Sequence, residues 1–209
     1  MLPRPADLAV RLVIAGVIVL GMLYVAGRTL VGPLVPALAA TVHIIDPDFT
    51  VLSASVGQHG AMQTVAFRAD LAGPLELAGR TLYPLGWNTA QPQGWFQIDL
   101  SLGGLLQYSA LLLIIVLGWP ARKAREFALR LALCLPLAAL LVFIAAPSTV
   151  IAELWKLLGD QFAPGEVSGW LVWSRFLMGG GGLAIAGILA AGVIVVAQRR
   201  QATHRAGFA

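Results

Sequence analysis

The chain has 209 residues, with 14 Lys and Arg against 10 Asp and Glu, for a formal net charge of +4. Apolar residues make up 58% and charged residues 11%, where an ordinary soluble domain carries roughly 25% charged residues. That composition excludes a conventional soluble enzyme domain. The basic residues sit at segment ends rather than on one clustered face, which excludes a nucleic-acid footprint.

In chain order, four apolar segments stand out: Leu12–Gly27, Leu102–Gly118, Phe127–Ala146 and Phe176–Ala197. A hydrocarbon core of about 30 Å needs about 20 helical residues. The first segment is short for this, but Thr29–Val42 stays largely apolar after Arg28. Residues 1–42 are therefore predicted as an N-terminal transmembrane helix with an outer extension. Gly32, Pro33 and Pro36 would kink or break the extension, or it would lie along the outer surface. Ala37-Leu38-Ala39 also fits a small-x-small cleavage site, but the spacer separating it from the apolar core contains Arg28 and is long for a signal peptide.

Residues 43–101 hold no spanning segment and most of the turn residues. Asp46-Pro47-Asp48 reads as a turn. Thr50–Val56 and Met62–Leu71 alternate polar and apolar residues on either side of Gln58-His59-Gly60, the pattern of a β-hairpin. Trp95–Leu100 reads as a third strand and residues 84–94 as loop. So small a sheet is marginal alone, and it is expected to lean on the membrane surface or on a partner.

Residues 102–146 are predicted as a transmembrane hairpin, closed by the basic turn Ala121–Glu126. Pro147-Ser148 reads as a new helix start, followed by an outer amphipathic helix and loop over residues 147–169. Residues 170–209 form the fourth crossing and a basic tail. Trp155, Trp170 and Trp173 fall where an outer aromatic belt belongs, and Trp119 where an inner one does.

Nine of the fourteen basic residues flank the ends that would share one face of the bilayer: Arg4, Arg11, Arg122, Lys123, Arg125, Arg130, Arg199, Arg200 and Arg205. Only two acids, Asp7 and Glu126, accompany them, whereas the opposite side carries eight acids and five basic residues. The positive-inside bias then gives four crossings with both termini cytoplasmic. The expected fold class is a mainly α integral membrane protein. It has four transmembrane helices and a small antiparallel β extracytoplasmic domain between helices 1 and 2.

Chemistry-bearing constellations are sparse. His43, His59 and His204 are widely spaced, and no HxH, HxxxH or CxxC is present, so no metal site and no cofactor are expected. Cys134 reads as a packing thiol. A cysteine set with His43 and Arg28 is rejected, because the topology separates them. Gly179–Gly182 lacks the strand before it and the Lys-Ser/Thr ending of a phosphate loop. Helix packing through a small-residue face of Gly180, Ala184, Gly187 and Ala191 is the expectation, with a bend at the glycines as the alternative. Arg28 and Arg175 are the two basic residues flanking crossings on the acidic side. A shared site for an anionic headgroup or lipid-linked phosphate is the sharper reading of them, with Glu153 and Glu166 as nearby acids; snorkelling or pairing with those acids is the alternative.

The segment LGGLLQYSALLLIIVLGWPARKAREFALRLALCLPLAALLVFIAAPSTVIAELW, Leu102–Trp155, carries a further likeness. It has a crossing closed by Gly-Trp-Pro, a basic turn, a crossing with an internal Pro136 and then an outer stretch. With the long first crossing and small outer β segment, it resembles the exosortase H-associated membrane proteins. That resemblance implies a non-enzymatic accessory protein of the bacterial inner membrane, working beside a membrane-bound sorting enzyme, with no catalytic residues to carry over. The expected function is docking of a membrane-protein partner by the extracytoplasmic domain, in envelope protein sorting or exopolysaccharide export. An enzyme or transporter subunit handling lipid-linked envelope material through Arg28 and Arg175 is the alternative.

Overall fold

In the computed structural model, which describes residues 4–59, 62–85, 96–121, 123–165 and 167–206, the chain is mostly helical with a small antiparallel sheet. Its contacts divide into two units. One comprises Met1–Ala26, Leu106–Val142 and Gly180–Ala209; the other comprises Gly27–Leu105 and Phe143–Gly179.

The first unit is built from parts of α1 (Pro5–Val31), α3 (Leu102–Gly118), α4 (Ala124–Phe162) and α6 (Gly182–Ala206). On α1, Ala15 and Val19 are buried, while Val13, Val17 and Val25 are exposed. A helix apolar all round, with only a narrow covered stripe, suits a lipid surrounding. Three continuous helical stretches are long and apolar enough to cross a bilayer: Pro5–Ile45 (41 residues), Ala124–Phe162 (39) and Gly169–Arg200 (32). The apolar α3 has 17 residues, about 26 Å at 1.5 Å per residue.

This shortest helix is the hub of its unit. Gly118 lies against Leu12 of α1, so closely that a Cβ there would fall 2.7 Å from Leu12 Cδ2. Ser109 donates its hydroxyl to the Ala138 carbonyl of α4 at 2.7 Å. The ring of Tyr108 fills the space that a Cβ on Gly182 of α6 would need. Small residues and one interhelical hydroxyl bond are what membrane helices use to associate, because lipid removes the hydrophobic drive.

The small-residue face of α6 differs from the expected one. Gly182, Ala186, Ala190 and Ala197 are buried, whereas Ala184 and Ala191 are exposed. The reason lies in the glycine run. Leu177–Gly181 forms a π turn between α5 (Gly169–Phe176) and α6, and Gly180 takes φ 110°, ψ −11° inside it. Helical phase is not carried through such a turn, so counting fours from Gly180 lands on the wrong side. The bend and the packing, read from sequence as alternatives, are both present.

In the second unit, α1 passes through a 3₁₀ turn at Gly32–Leu34 into α2 (Val35–Ile45). Pro33 and Pro36 each occupy an early position of their helix, where a missing N–H costs nothing. The helix therefore restarts rather than ends, and Ala37–Ala39 lie within it, with Leu38 fully buried. Strands β1 (Phe49–His59), β2 (Met62–Leu71) and β5 (Phe96–Ser101) form an antiparallel sheet in the order β1-β2-β5. The expected hairpin is present, though both strands run past Gln58. Val65, Phe67 and Ala69 of β2 are buried, and Arg68 between them is exposed, as the alternation predicts. Trp95 and most of the expected loop, residues 86–95, lie outside the described residues.

Two features of this unit were not expected. A small hairpin of β3 (Leu75–Leu77) and β4 (Arg80–Leu82) turns on Ala78 and Gly79, with φ 49° and 74°. And Pro147-Ser148 starts no helix. Instead α4 runs unbroken through Pro136 and Pro147 for 39 residues, about 58 Å at 1.5 Å per residue. Ser148 and Thr149 donate their hydroxyls to the carbonyls of Ile144 and Ala145, at 2.5 and 2.8 Å, in the turn that Pro147 weakens. These bonds reinforce the carbonyls next to that of Phe143, the one left without its helical donor by Pro147, and do not replace the missing bond.

Candidate functional site

Among the described residues, no hydrogen bond or ion pair links the residues singled out from sequence. Arg28 and Arg175 are both exposed, and among the described residues neither makes a hydrogen bond or an ion pair. Glu153 pairs instead with Lys156, three residues on, at 3.4 Å. Both partners are well exposed, where such a bridge contributes little. Glu166 and Arg122 lie outside the described residues, as do the side chains of His59 and His204. Cys134 is buried. No cluster of three or more His, Cys, Asp or Glu side chains able to hold a metal occurs among the described residues.

Two polar arrangements do assemble. The first is the corner joining α2, β1 and the distal part of α4. Asp46 is buried and uses both carboxylate oxygens. One accepts the backbone N–H of Asp48 at 3.2 Å, which makes the expected turn, and the other accepts the indole N–H of Trp155 at 2.8 Å. The Trp155 ring meets Phe49 edge to face, with centroids 5.5 Å apart. His43 donates its Nδ1–H to the Phe49 carbonyl at 2.9 Å, a direction set by the carbonyl, which only accepts. Trp155 is thus tied to the sheet by its indole N–H, which a tryptophan serving only an aromatic belt would not be.

At the same end of the sheet, where Thr50 of β1 faces Asp70 of β2, buried Asp70 accepts the N–H groups of Leu71 (2.8 Å) and Leu85 (2.7 Å). It thereby closes the excursion that carries the β3–β4 hairpin. From Thr64 to Ala69, β2 is paired on both sides. Within residues 50–71, then, it is β1 that presents an unused edge among the described residues. That edge begins after Phe49, whose N–H and carbonyl are taken by Asp46 and His43, and is interrupted by an irregularity between Val51 and Ser53 that leaves Leu52 exposed. Edge strands offer unpaired N–H and C=O groups to another chain.

The second arrangement is at the turn between α3 and α4. Arg130, expected among the basic residues that mark the cytoplasmic side, is 0% exposed. Its guanidinium pairs with buried Glu126 one turn earlier, and donates to the Trp119 and Pro120 carbonyls at 2.9 and 3.2 Å. These carbonyls follow the end of α3, where a helix runs out of its own donors. The Nε–H makes no hydrogen bond among the described residues. The Glu126–Arg130 spacing of four was the available signal, but it does not say which way that face of α4 points.

No family model matches the chain, and neither a curated protein nor a solved structure was found to be similar to it.

Proposed function

We propose that the protein is a non-enzymatic accessory protein of a bacterial inner membrane, crossing it four times with both termini in the cytoplasm. Its β-containing unit docks a membrane-protein partner by strand addition to β1. The observation that carries this reading is the edge of β1 beyond Phe49, beside a β2 that is paired on both sides over Thr64–Ala69. An added strand would take its affinity from main-chain hydrogen bonds and its specificity from alternate side chains. Buried Asp46 and the Phe49–Trp155 contact hold the start of β1 in place, so the edge is offered preformed, which lowers the ordering cost of association. The likeness of Leu102–Trp155 to exosortase H-associated proteins supports a sorting enzyme as the partner and envelope protein sorting as the setting. The asymmetric basic residues support the orientation.

The test is photo-crosslinking from Leu52, Ser53 and Ser55 in native membranes, with Leu52→Pro as the disruptive variant. All three positions are expected to capture one and the same sorting enzyme, and the proline is expected to abolish capture while the protein stays inserted. Capture that survives the proline, or no common product from the three positions, refutes the reading.

A further inference from the structure

At the α3–α4 turn the first unit carries an open depression of about 370 Å³, lined by Arg11 of α1, Leu117 and Trp119 at the end of α3, and Lys123 and Phe127 at the start of α4. Its volume is within the range of small-ligand sites, about 300–1,000 Å³. Two cations and two aromatic rings meet there from three helices. The meeting is built into the fold. Gly118 lets α1 approach α3 at Leu12, which sets Arg11, the next residue, beside Trp119. The Arg130 guanidinium, bonded to the Trp119 and Pro120 carbonyls, fixes the turn that carries Lys123.

The local acids do not cancel the two charges. Glu126 is buried and paired with Arg130, and Asp7, one turn before Arg11 on α1, is not among the lining residues. Trp119 and Phe127 are side chains suited to the boundary between headgroups and acyl chains.

We propose that this depression binds the phosphodiester headgroup of an anionic phospholipid. Arg11 and Lys123 hold the phosphate oxygens, and Trp119 and Phe127 border the first carbons of the acyl chains. Basic pockets between membrane helices recognise anionic headgroups in this way, and guanidinium supplies paired donors that match phosphate oxygens. The inference concerns the unit opposite in composition to the one holding β1, and stands whether or not β1 docks a partner.

Native mass spectrometry of the full chain in detergent, titrated with phosphatidylglycerol or phosphatidylcholine, tests it. Phosphatidylglycerol is expected to bind more tightly. The double variant R11Q/K123Q is expected to lose about 30-fold in that affinity, at about fivefold per basic residue. Arg11→Lys should keep most of the binding, and Arg80→Gln, on β4, should leave it unchanged. If the double variant fails to fold by circular dichroism, R11Q and K123Q singly, each losing about fivefold, carry the test. Equal binding of the two lipids, or an equal loss in Arg80→Gln, overturns the proposal. Displacement of phosphatidylglycerol by millimolar inorganic phosphate overturns it too, because the depression would then take free phosphate rather than lipid.

Discussion

Arg130 illustrates how a residue's type and its surroundings can point to different roles. Beside the basic turn its charge reads as one more topological marker, yet the side chain is buried, paired with Glu126 and bonded to two backbone carbonyls. Taking a charge into such a place costs several kcal/mol, about recovered by the partner and the carbonyls. Arg130→Met should therefore take from buried Glu126 its guanidinium and destabilise the protein by about 3–5 kcal/mol, read as a lower denaturant midpoint in detergent. Adding Glu126→Leu should recover a large part of that loss, because an apolar pair no longer needs the compensation. A single-variant loss no greater than that of exposed Arg125→Met would refute the buried role. Asp46 was easier to read. The Asp-Pro-Asp turn was legible because its bonds are local, whereas its bond to Trp155 spans 109 residues and leaves no trace in spacing.

The same contrast of local and distant cause separates the elements that sequence foretold from those it did not. The β1–β2 hairpin, the third strand and the start of α3 after Ser101 are all legible, because alternation and capping are short-range. The Ser101 hydroxyl does accept the Gly104 N–H at 3.1 Å, as an N-cap should. The β3–β4 hairpin escaped because Ala78 takes a positive φ normally signalled by Asn or Gly. Continuity of α4 through Pro147 depends on how that helix packs, which spacing does not record. The face of α6 could not be chosen by counting, since the π turn resets the phase. That assignment has a direct check. Gly182→Val would drive its side chain into Tyr108 and should cost about 1–3 kcal/mol, whereas Gly187→Val meets nothing within 4 Å and should cost far less. Equal losses in the unfolding midpoint would return the packing face to Gly180, Ala184, Gly187 and Ala191.

For the whole molecule, composition carried most of the information: a mostly helical chain with helices apolar enough to cross a membrane, and a small β unit, was legible before any contact was known. A function was much less so, because its candidate residues were chosen for being exceptions to a topology rule. Arg28 and Arg175 bond to nothing among the described residues, while the polar groups that do assemble, Asp46 with Trp155 and Glu126 with Arg130, were not among those candidates. The proposed orientation is open to thiol labelling, because the single cysteine, Cys134, is buried. A membrane-impermeant maleimide should leave the wild-type chain unlabelled in spheroplasts. It should label Ser55→Cys directly, and Lys123→Cys after permeabilisation alone. The reverse pattern would invert the topology.

The bonds made by Arg130 also impose an order on synthesis. The Trp119 and Pro120 carbonyls leave the ribosome eleven and ten residues before the guanidinium that satisfies them. Until the first turns of α4 emerge, the end of the 17-residue α3 lacks these donors, and until Ala138 follows, Ser109 in the middle of α3 lacks its acceptor. The piece of chain that can settle in a bilayer as a finished object is therefore the hairpin rather than α3 alone. The 17-residue α3 is completed by residues translated after it.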